Sequence, residues 1–280
     1  MKLRNGWWIL IFIACIAVTR FAYKPVTHGL KDLGLPALWL EPAPFLFALL
    51  ATWACTRLRR EPLSSVGFRL DQRWFREMVC GTLLGVATAL AVVGMIYIIG
   101  GVRFELDPAR SVGSLLIGLY VFLFAALLEE TLFRGFLFQR LLDGIGVWPA
   151  QIAVGALFVL AHGDSPGMQG TTQIVASADL FLGAVMLGLA YLRTRSLALP
   201  IGLHLGWNWT QGNVLGFGVS GFDYAGWLKP MFQGEVEWLT GGAFGPESSI
   251  FSPLMSIVMI VLLWRWKGST LTAPLSGVQP

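Results

Sequence analysis

Residues 112–140 read VGSLLIGLYVFLFAALLEETLFRGFLFQR, a long apolar run that contains two adjacent acids and an arginine. A helix of about 20 apolar residues crosses the hydrocarbon core of a bilayer, so this run predicts a membrane span. An ionised side chain at mid-bilayer costs roughly 2.5 to 3.5 kcal/mol even on a lenient scale, so Glu129, Glu130 and Arg134 are expensive there. Together these features predict a helical membrane protein with a polar site inside the bilayer.

The composition of the whole chain agrees with a membrane protein. The 280 residues are 55% hydrophobic and only 13% charged, with a mean hydropathy of +0.67. In a typical soluble domain roughly a quarter of the residues are charged. The high hydrophobic content excludes an intrinsically disordered chain, and 3 cysteines are too few for a disulfide scaffold. Cys15, Cys55 and Cys80 lie in apolar runs without the spacing of a metal site, so we interpret them as small apolar residues.

Further apolar segments accompany the first one along the chain. The predicted fold is all-α, a polytopic membrane bundle of about eight transmembrane helices that forms a single domain over residues 1–280. The spans are predicted at 6–23, 36–56, 78–100, 112–140, 147–163, 178–193, 197–215 and 250–266.

The basic residues predict the orientation of these spans. If the chain crosses the membrane eight times from a cytoplasmic N-terminus, 13 of its 20 basic residues fall on the cytoplasmic side. Basic residues concentrate on that side in membrane proteins. The sequence therefore predicts a multi-pass integral membrane protein with both termini in the cytoplasm.

The charged residues of the fourth span can act in two ways. Glu130 and Arg134 are four residues apart, so they share a helix face and can form an ion pair. Such a pair can serve helix packing alone. Glu129 points about 100° away from Glu130 around the helix and is left outside the pair. A second, unpaired carboxylate at this depth is suited to accept and return a proton, which favours a catalytic function.

Two further spans contribute histidines. His162 ends the fifth predicted span, and His204 and Asn208 share one face of the seventh. A single histidine inside a membrane commonly serves only as a hydrogen-bonding group between helices. Two histidines, an asparagine and the acidic pair on three helices of one bundle instead predict a shared polar cavity. His28 lies in an outer loop and is interpreted as solvated.

Three short motifs carry this pattern in order along the chain. They are E-E-x-x-x-R at 129–134, F-x-x-x-H at 158–162 and H-x-x-x-N at 204–208. In order and spacing they resemble the CAAX protease and bacteriocin-processing (Abi) family of intramembrane proteases, which includes the Ras-converting CAAX endopeptidase. The family-like catalytic core covers residues 112–215.

The resemblance implies an intramembrane endopeptidase and assigns roles to the motif residues. Glu129 would be the general base that activates a water molecule, assisted by His162. His204 and Asn208 would stabilise the oxyanion, in agreement with the donors that such an intermediate requires.

The remaining motif residues have supporting roles in the same resemblance. Glu130 with Arg134 would orient the base, and Phe158 would pack beside the site. The implied partner is a membrane-anchored or lipidated protein or peptide within the lipid bilayer, and no nucleic acid is expected.

The residues also leave alternatives open. Glu129, His162 and His204 match the ligand types of a catalytic zinc site, although no H-E-x-x-H motif is present, so zinc is possible while a metal-free reaction without cofactor is favoured. Buried acids and histidines can also form the proton relay of a carrier, but the internal repeats typical of carriers are not evident. A non-catalytic bacteriocin-immunity or binding protein is the third alternative.

Overall fold

The computed structural model describes residues 4–234 and 236–268 of the chain. Both ends of the chain are predicted to be cytoplasmic, and each end includes residues outside these ranges. The helices are α1 Asn5–Asp32, α2 Ala37–Leu40, α3 Ala43–Leu58, α4 Gln72–Ile98, α5 Val112–Phe133, α6 Phe136–Ile145, α7 Val147–Ala161, α8 Gly170–Thr194, α9 Ala198–Trp209, α10 Glu237–Thr240 and α11 Phe251–Arg265. The strands are β1 Val102–Leu106 and β2 Leu228–Phe232. Short 3₁₀ turns cover Leu63–Val66 and Pro246–Ser248, and a π-helical turn covers Thr210–Val214.

The prediction of an all-α, polytopic membrane fold is confirmed. In the described part of the chain, 5 helical segments are long and apolar enough to cross a bilayer, and α7 and α11 are shorter apolar helices. Each of the eight predicted spans overlaps a helix. The long segments are Asn5–Asp32, Ala37–Leu58, Gln72–Ile98, Val112–Ile145 and Gly170–Thr194.

Local sequence signals set the starts of two long helices. The Asp71 carboxylate accepts a hydrogen bond of 2.8 Å from the backbone N–H of Trp74 at the start of α4. The Ser111 hydroxyl accepts one of 3.0 Å from the N–H of Ser114 at the start of α5. Such N-caps satisfy backbone donors that have no partner within the helix. They fix the first residues of α4, which precedes strand β1 along the chain, and of α5, which follows it.

The predicted span 112–140 is divided between two helices. Helix α5 ends at Phe133, and α6 begins at Phe136. Gly135 lies between the two helices, directly before the first residue of α6. A Cβ atom there would lie 2.3 Å from the Thr131 carbonyl oxygen. The break follows immediately after the acidic pair and places Arg134 at the end of α5.

Helix α9 is the central helix of the bundle. All residues from Ala198 to Gly206 are buried, and α9 packs against α4, α5 and α8. Its contact with α4 is backbone against backbone, because a Cβ atom on Gly206 would lie 2.1 Å from the Thr82 carbonyl oxygen. A Cβ atom on Gly85 would lie 2.2 Å from the Leu203 carbonyl oxygen. This close packing fixes the position of the helix that carries the H-x-x-x-N motif.

The connection between α9 and α11 contains structure that the hydropathy pattern does not predict. Strand β2 pairs with β1 in an antiparallel, two-stranded sheet, with Val102 opposite Phe232 and Leu106 opposite Leu228. The 3₁₀ turn Pro246–Ser248 packs against α8 and α11. Part of this connection therefore lies against the helices and contributes to the interior.

Candidate active site

Residues from each of the three motifs line one cavity inside the bundle. The cavity has a volume of about 270 Å³, and its wall includes Glu129, Phe158, His162, His204 and Asn208. These side chains come from α5, from the end of α7 and from α9. The structure therefore brings the four predicted catalytic residues to a common space.

Glu130 and Arg134 form the predicted ion pair, and both side chains are completely buried. Arg134 Nη1 donates to Glu130 Oε1 over 3.0 Å, and Arg134 Nη2 donates to the carbonyl oxygen of Ala184 on α8 over 3.2 Å. The guanidinium also lies 5.0 Å from the centre of the Phe158 ring, within cation–π distance. Arg134, at the end of α5, thus contacts residues of both α7 and α8.

Glu129 has a different environment from its neighbour Glu130. Its side chain is 25% exposed and lines the cavity, and its Oε2 atom lies 3.8 Å from His204 Nε2. Within the described residues Oε2 has no hydrogen-bond partner. A carboxylate oxygen without a protein partner is available to a water molecule, as the role of general base requires.

His204 lies between the two glutamates. Its Nδ1 atom is 3.0 Å from Glu130 Oε1, and its Nε2 atom faces Glu129. An ionised carboxylate can only accept, so Nδ1 carries the proton in that contact. The 3.8 Å between His204 Nε2 and Glu129 Oε2 is longer than a direct hydrogen bond.

His162 occupies the other side of the site. It follows the last residue of α7, and its Nδ1 atom lies 2.9 Å from the carbonyl oxygen of Phe158. Because a carbonyl oxygen only accepts, the neutral ring keeps its lone pair on Nε2. Its ring packs against Phe158 at 4.6 Å between centres. Within the described residues His162 forms no hydrogen bond or ion pair with Glu129, whereas His204 lies within 4 Å of it.

Asn208 lies one turn after His204 on the cavity wall, as the spacing predicts. Immediately beyond it, α9 widens into the π-helical turn. Two side chains of this turn hold the following loop, because Gln211 Nε2 donates to the Gly218 carbonyl and Asn213 Nδ2 donates to the Ala225 carbonyl. Turns of this kind occur frequently at functional sites.

Two acids of the cavity are absent from the sequence-based prediction. Asp179 lies on α8 and Glu247 on the 3₁₀ turn Pro246–Ser248, and both line the cavity. Glu247 Oε2 accepts hydrogen bonds from the N–H and hydroxyl of Ser220, over 2.8 and 3.0 Å. Burial raises the pKa of Glu247, against the opposing effect of these two bonds. Asp179 could have been found from the sequence, because it is an acid within an apolar helix. No pattern in the glycine-rich loop marks Glu247.

The candidate ligands Glu129, His162 and His204 do not meet the needs of a metal ion. A catalytic zinc site requires three protein ligands about 2.0 to 2.2 Å from the ion. No group of three His, Cys, Asp or Glu side chains in the described residues has an arrangement that could hold a metal ion. Glu129, His162 and His204 share the cavity wall without forming such a ligand set.

Comparison with known protein families gives a match to the central part of the chain. The family model described as "Type II CAAX prenyl endopeptidase Rce1-like" matches residues 111–210. The match includes all three motifs and ends before the connection that carries Glu247. No curated protein matches the chain. The resemblance of the motifs to the CAAX protease family is confirmed by this match.

Proposed function

We propose that this chain, of which residues 111–210 match the Rce1-like family model, is an intramembrane endopeptidase. It hydrolyses a peptide bond of a membrane-anchored or lipidated protein or peptide, using a water molecule activated by Glu129. The observation that carries the proposal is the cavity itself, where Glu129, His162, His204 and Asn208 share one wall inside a helical bundle.

In the proposed reaction, Glu129 accepts a proton from water while the water oxygen attacks the scissile carbonyl carbon. The lone pair on His162 Nε2 gives that proton a second acceptor in the cavity. The carbonyl oxygen becomes an oxyanion, and the amide N–H of Asn208 is a suitable donor to it. When the C–N bond breaks, the proton passes from Glu129 to the departing amine nitrogen.

His204 can serve as the second oxyanion donor under one condition. Its Nδ1 proton is directed at Glu130, so donation from Nε2 requires a ring protonated on both nitrogens. The proposed mechanism therefore needs an imidazolium between two carboxylates. In that arrangement Glu130 and Arg134 position His204, and His204 in turn faces the base.

We propose that the reaction proceeds without a metal ion. The support is the donor arrangement of the described residues, in which the three candidate ligands do not form a metal-binding group. A zinc-dependent version of the same protease is the competing chemistry, and metal analysis of the purified chain separates the two.

The experiment that tests the function compares one pair of matched variants. The full chain is purified, reconstituted in liposomes and incubated with a panel of prenylated and unmodified membrane-anchored peptides, and the products are identified by mass spectrometry. Glu129→Gln removes the base with little change in shape. Glu105→Gln makes the same chemical change on exposed strand β1 and is the control.

We expect peptide cleavage by the wild type and by Glu105→Gln and none by Glu129→Gln. Cleavage at the wild-type rate by correctly inserted Glu129→Gln would refute the assignment of the base. Wild-type protein that binds these peptides but cleaves none of them would favour the non-catalytic binding protein.

A further inference from the structure

A tight turn in the connection after α9 forms part of the cavity wall. The N–H of Val219 donates to the carbonyl oxygen of Phe222 over 2.9 Å, and the N–H of Phe222 donates to that of Val219 over 3.0 Å. Val219, Ser220 and Phe222 line the same cavity as Glu129. Phe222 is 52% exposed, so about half of this large apolar side chain is available for contact. The family match ends at residue 210, before the Val219–Phe222 turn.

Ser220 has a backbone conformation that residues with a Cβ atom rarely adopt. Its φ is +49°, in the left-handed region. Such a conformation costs free energy and persists only where the surrounding structure supports it. Here Glu247 Oε2 accepts hydrogen bonds from both the N–H and the hydroxyl of Ser220, over 2.8 and 3.0 Å. Glu247 is 5% exposed and belongs to the 3₁₀ turn that packs against α8 and α11, so it connects Ser220 to the bundle.

Ser220 differs from its neighbours in the turn, because the acceptor for its N–H is a side chain. The Gly221 N–H donates to the Phe244 carbonyl over 3.0 Å, and the N–H groups of Val219 and Phe222 bond within the turn. These three acceptors are backbone groups, which a substitution leaves in place. A substitution at Glu247 therefore removes support from the turn without changing any residue of the turn itself.

Glu247 also lies near other residues of the cavity wall. The Trp207 indole, on α9, is a further hydrogen-bond donor to its carboxyl group, and His162 and Asp179 interact with it electrostatically. A direct effect of Glu247 on the reaction, through His162, is therefore the alternative to a role in holding the turn. Burial raises the pKa of Glu247, which favours its uncharged form. Glutamine is uncharged and of the same shape, and its amide oxygen can accept both bonds from Ser220.

We propose that Glu247 is a positioning residue for substrate binding, which through Ser220 holds the Val219–Phe222 turn as a part of the cavity wall that contacts the substrate. That the ligand is a substrate rests on the proposed function, whereas the support of the turn by Glu247 does not. Loss of Glu247 then lowers the fraction of molecules whose turn is in the binding-competent position. Affinity falls by that fraction, while the chemical step at Glu129 is unchanged.

Hydrogen–deuterium exchange of the full chain in nanodiscs tests the support of the turn without needing turnover. We expect Glu247→Ala to exchange about tenfold faster over residues 217–224, because the bonds to Ser220 are lost. Ser220→Ala keeps the N–H bond and should have a smaller effect, and Glu247→Gln should exchange as the wild type does. Strand β2 is the internal control, and Glu237→Ala, at an exposed position of the same connection, is the matched variant.

Steady-state kinetics with a peptide that the wild type cleaves test the effect on the substrate. We expect Glu247→Ala to raise KM about tenfold with kcat nearly unchanged, as when about a tenth of the molecules are competent to bind. Glu247→Gln should restore the wild-type KM and keep the wild-type pH profile of kcat. A large fall in kcat, or a changed pH profile in Glu247→Gln, would overturn the positioning role and favour a direct effect through His162.

A second route to the same perturbation keeps Glu247 in place. Ser220→Val introduces a β-branched side chain, which strongly disfavours a positive φ, and it supplies the same comparison if Glu247→Ala fails to fold. Exchange over 217–224 that is unchanged in both folded variants would overturn the proposal. Faster exchange with unchanged peptide affinity would equally overturn the role in substrate binding.

Peptide affinity is also measured on Glu129→Gln protein with and without Glu247→Ala, so that binding is separated from cleavage. A tenfold loss of affinity together with faster exchange supports the positioning role even if the wild type cleaves no peptide, and that result would refute only the proposed function. Cleavage by the wild type with equal affinity and equal exchange in both proteins would refute only the role of Glu247.

Discussion

Removal of the Arg134 guanidinium is the most direct test of how the acidic pair is held. Arg134→Met keeps most of the apolar stem but removes the bonds to Glu130 and to the Ala184 carbonyl. Glu130, completely buried, would keep only His204 as a partner. Breaking a buried pair by removing one member typically costs about 3 to 5 kcal/mol, because the remaining charge is uncompensated. We expect a loss of this size in the free energy of unfolding.

The assay is unfolding of the full chain in mixed micelles, followed by circular dichroism as the fraction of denaturing detergent rises. The control is Arg73→Met, because Arg73 also pairs with an acid four residues away and also donates to an α8 carbonyl. The Arg73 side chain is 32% exposed, so its pair should contribute about 1 kcal/mol or less. Adding Glu130→Gln to Arg134→Met should recover part of the loss, since no buried charge then remains unpaired. A cost for Arg134→Met no greater than that for Arg73→Met would refute the reasoning.

Three further predictions concern activity, packing and metal. Glu129→Ala and His162→Ala should each abolish peptide cleavage with little change in the thermal midpoint, and retained cleavage by either variant would contradict its assigned role. Gly206→Ala should cost about 1 to 3 kcal/mol in unfolding and reduce turnover, because its Cβ atom would meet the Thr82 carbonyl at 2.1 Å. The control Gly94→Ala has open space around it, so an equal effect of both alanines would contradict the packing argument. Chelated protein with no detectable zinc should keep its full rate, and stoichiometric zinc that is lost in His204→Ala would refute the metal-free mechanism.

Much of the fold could be predicted from hydropathy, because each apolar span must satisfy its backbone hydrogen bonds within a helix. The break in the fourth span could not be predicted this way. Hydropathy does not report backbone angles, and Phe136 and Leu137 continue the apolar run beyond Gly135. The break is a property of one glycine and of the Thr131 carbonyl that it approaches.

The motifs predict which residues form the site, but they do not predict most of the contacts between those residues. The spacing of Glu130 and Arg134 is local to one helix, so their ion pair could be predicted and is confirmed. The approach of His204 to both glutamates depends on how α9 packs on α5. The spacing of the motifs along the chain gives no information about that packing. Glu247 is a stronger example, because its burial depends on a loop returning to α8 and α11.

The two neighbouring glutamates have different surroundings, and the proposed mechanism gives them different functions. Glu130 is completely buried, receives Arg134 and His204, and has no exposed surface from which to reach a substrate. The Glu129 side chain is 25% exposed and lines the cavity. Since His204 contacts Glu130 and faces Glu129, we expect a change at Glu130 to move the imidazole beside Glu129. In the proposed mechanism Glu130 therefore cannot replace Glu129 as the base, and it acts on the reaction through the position of His204.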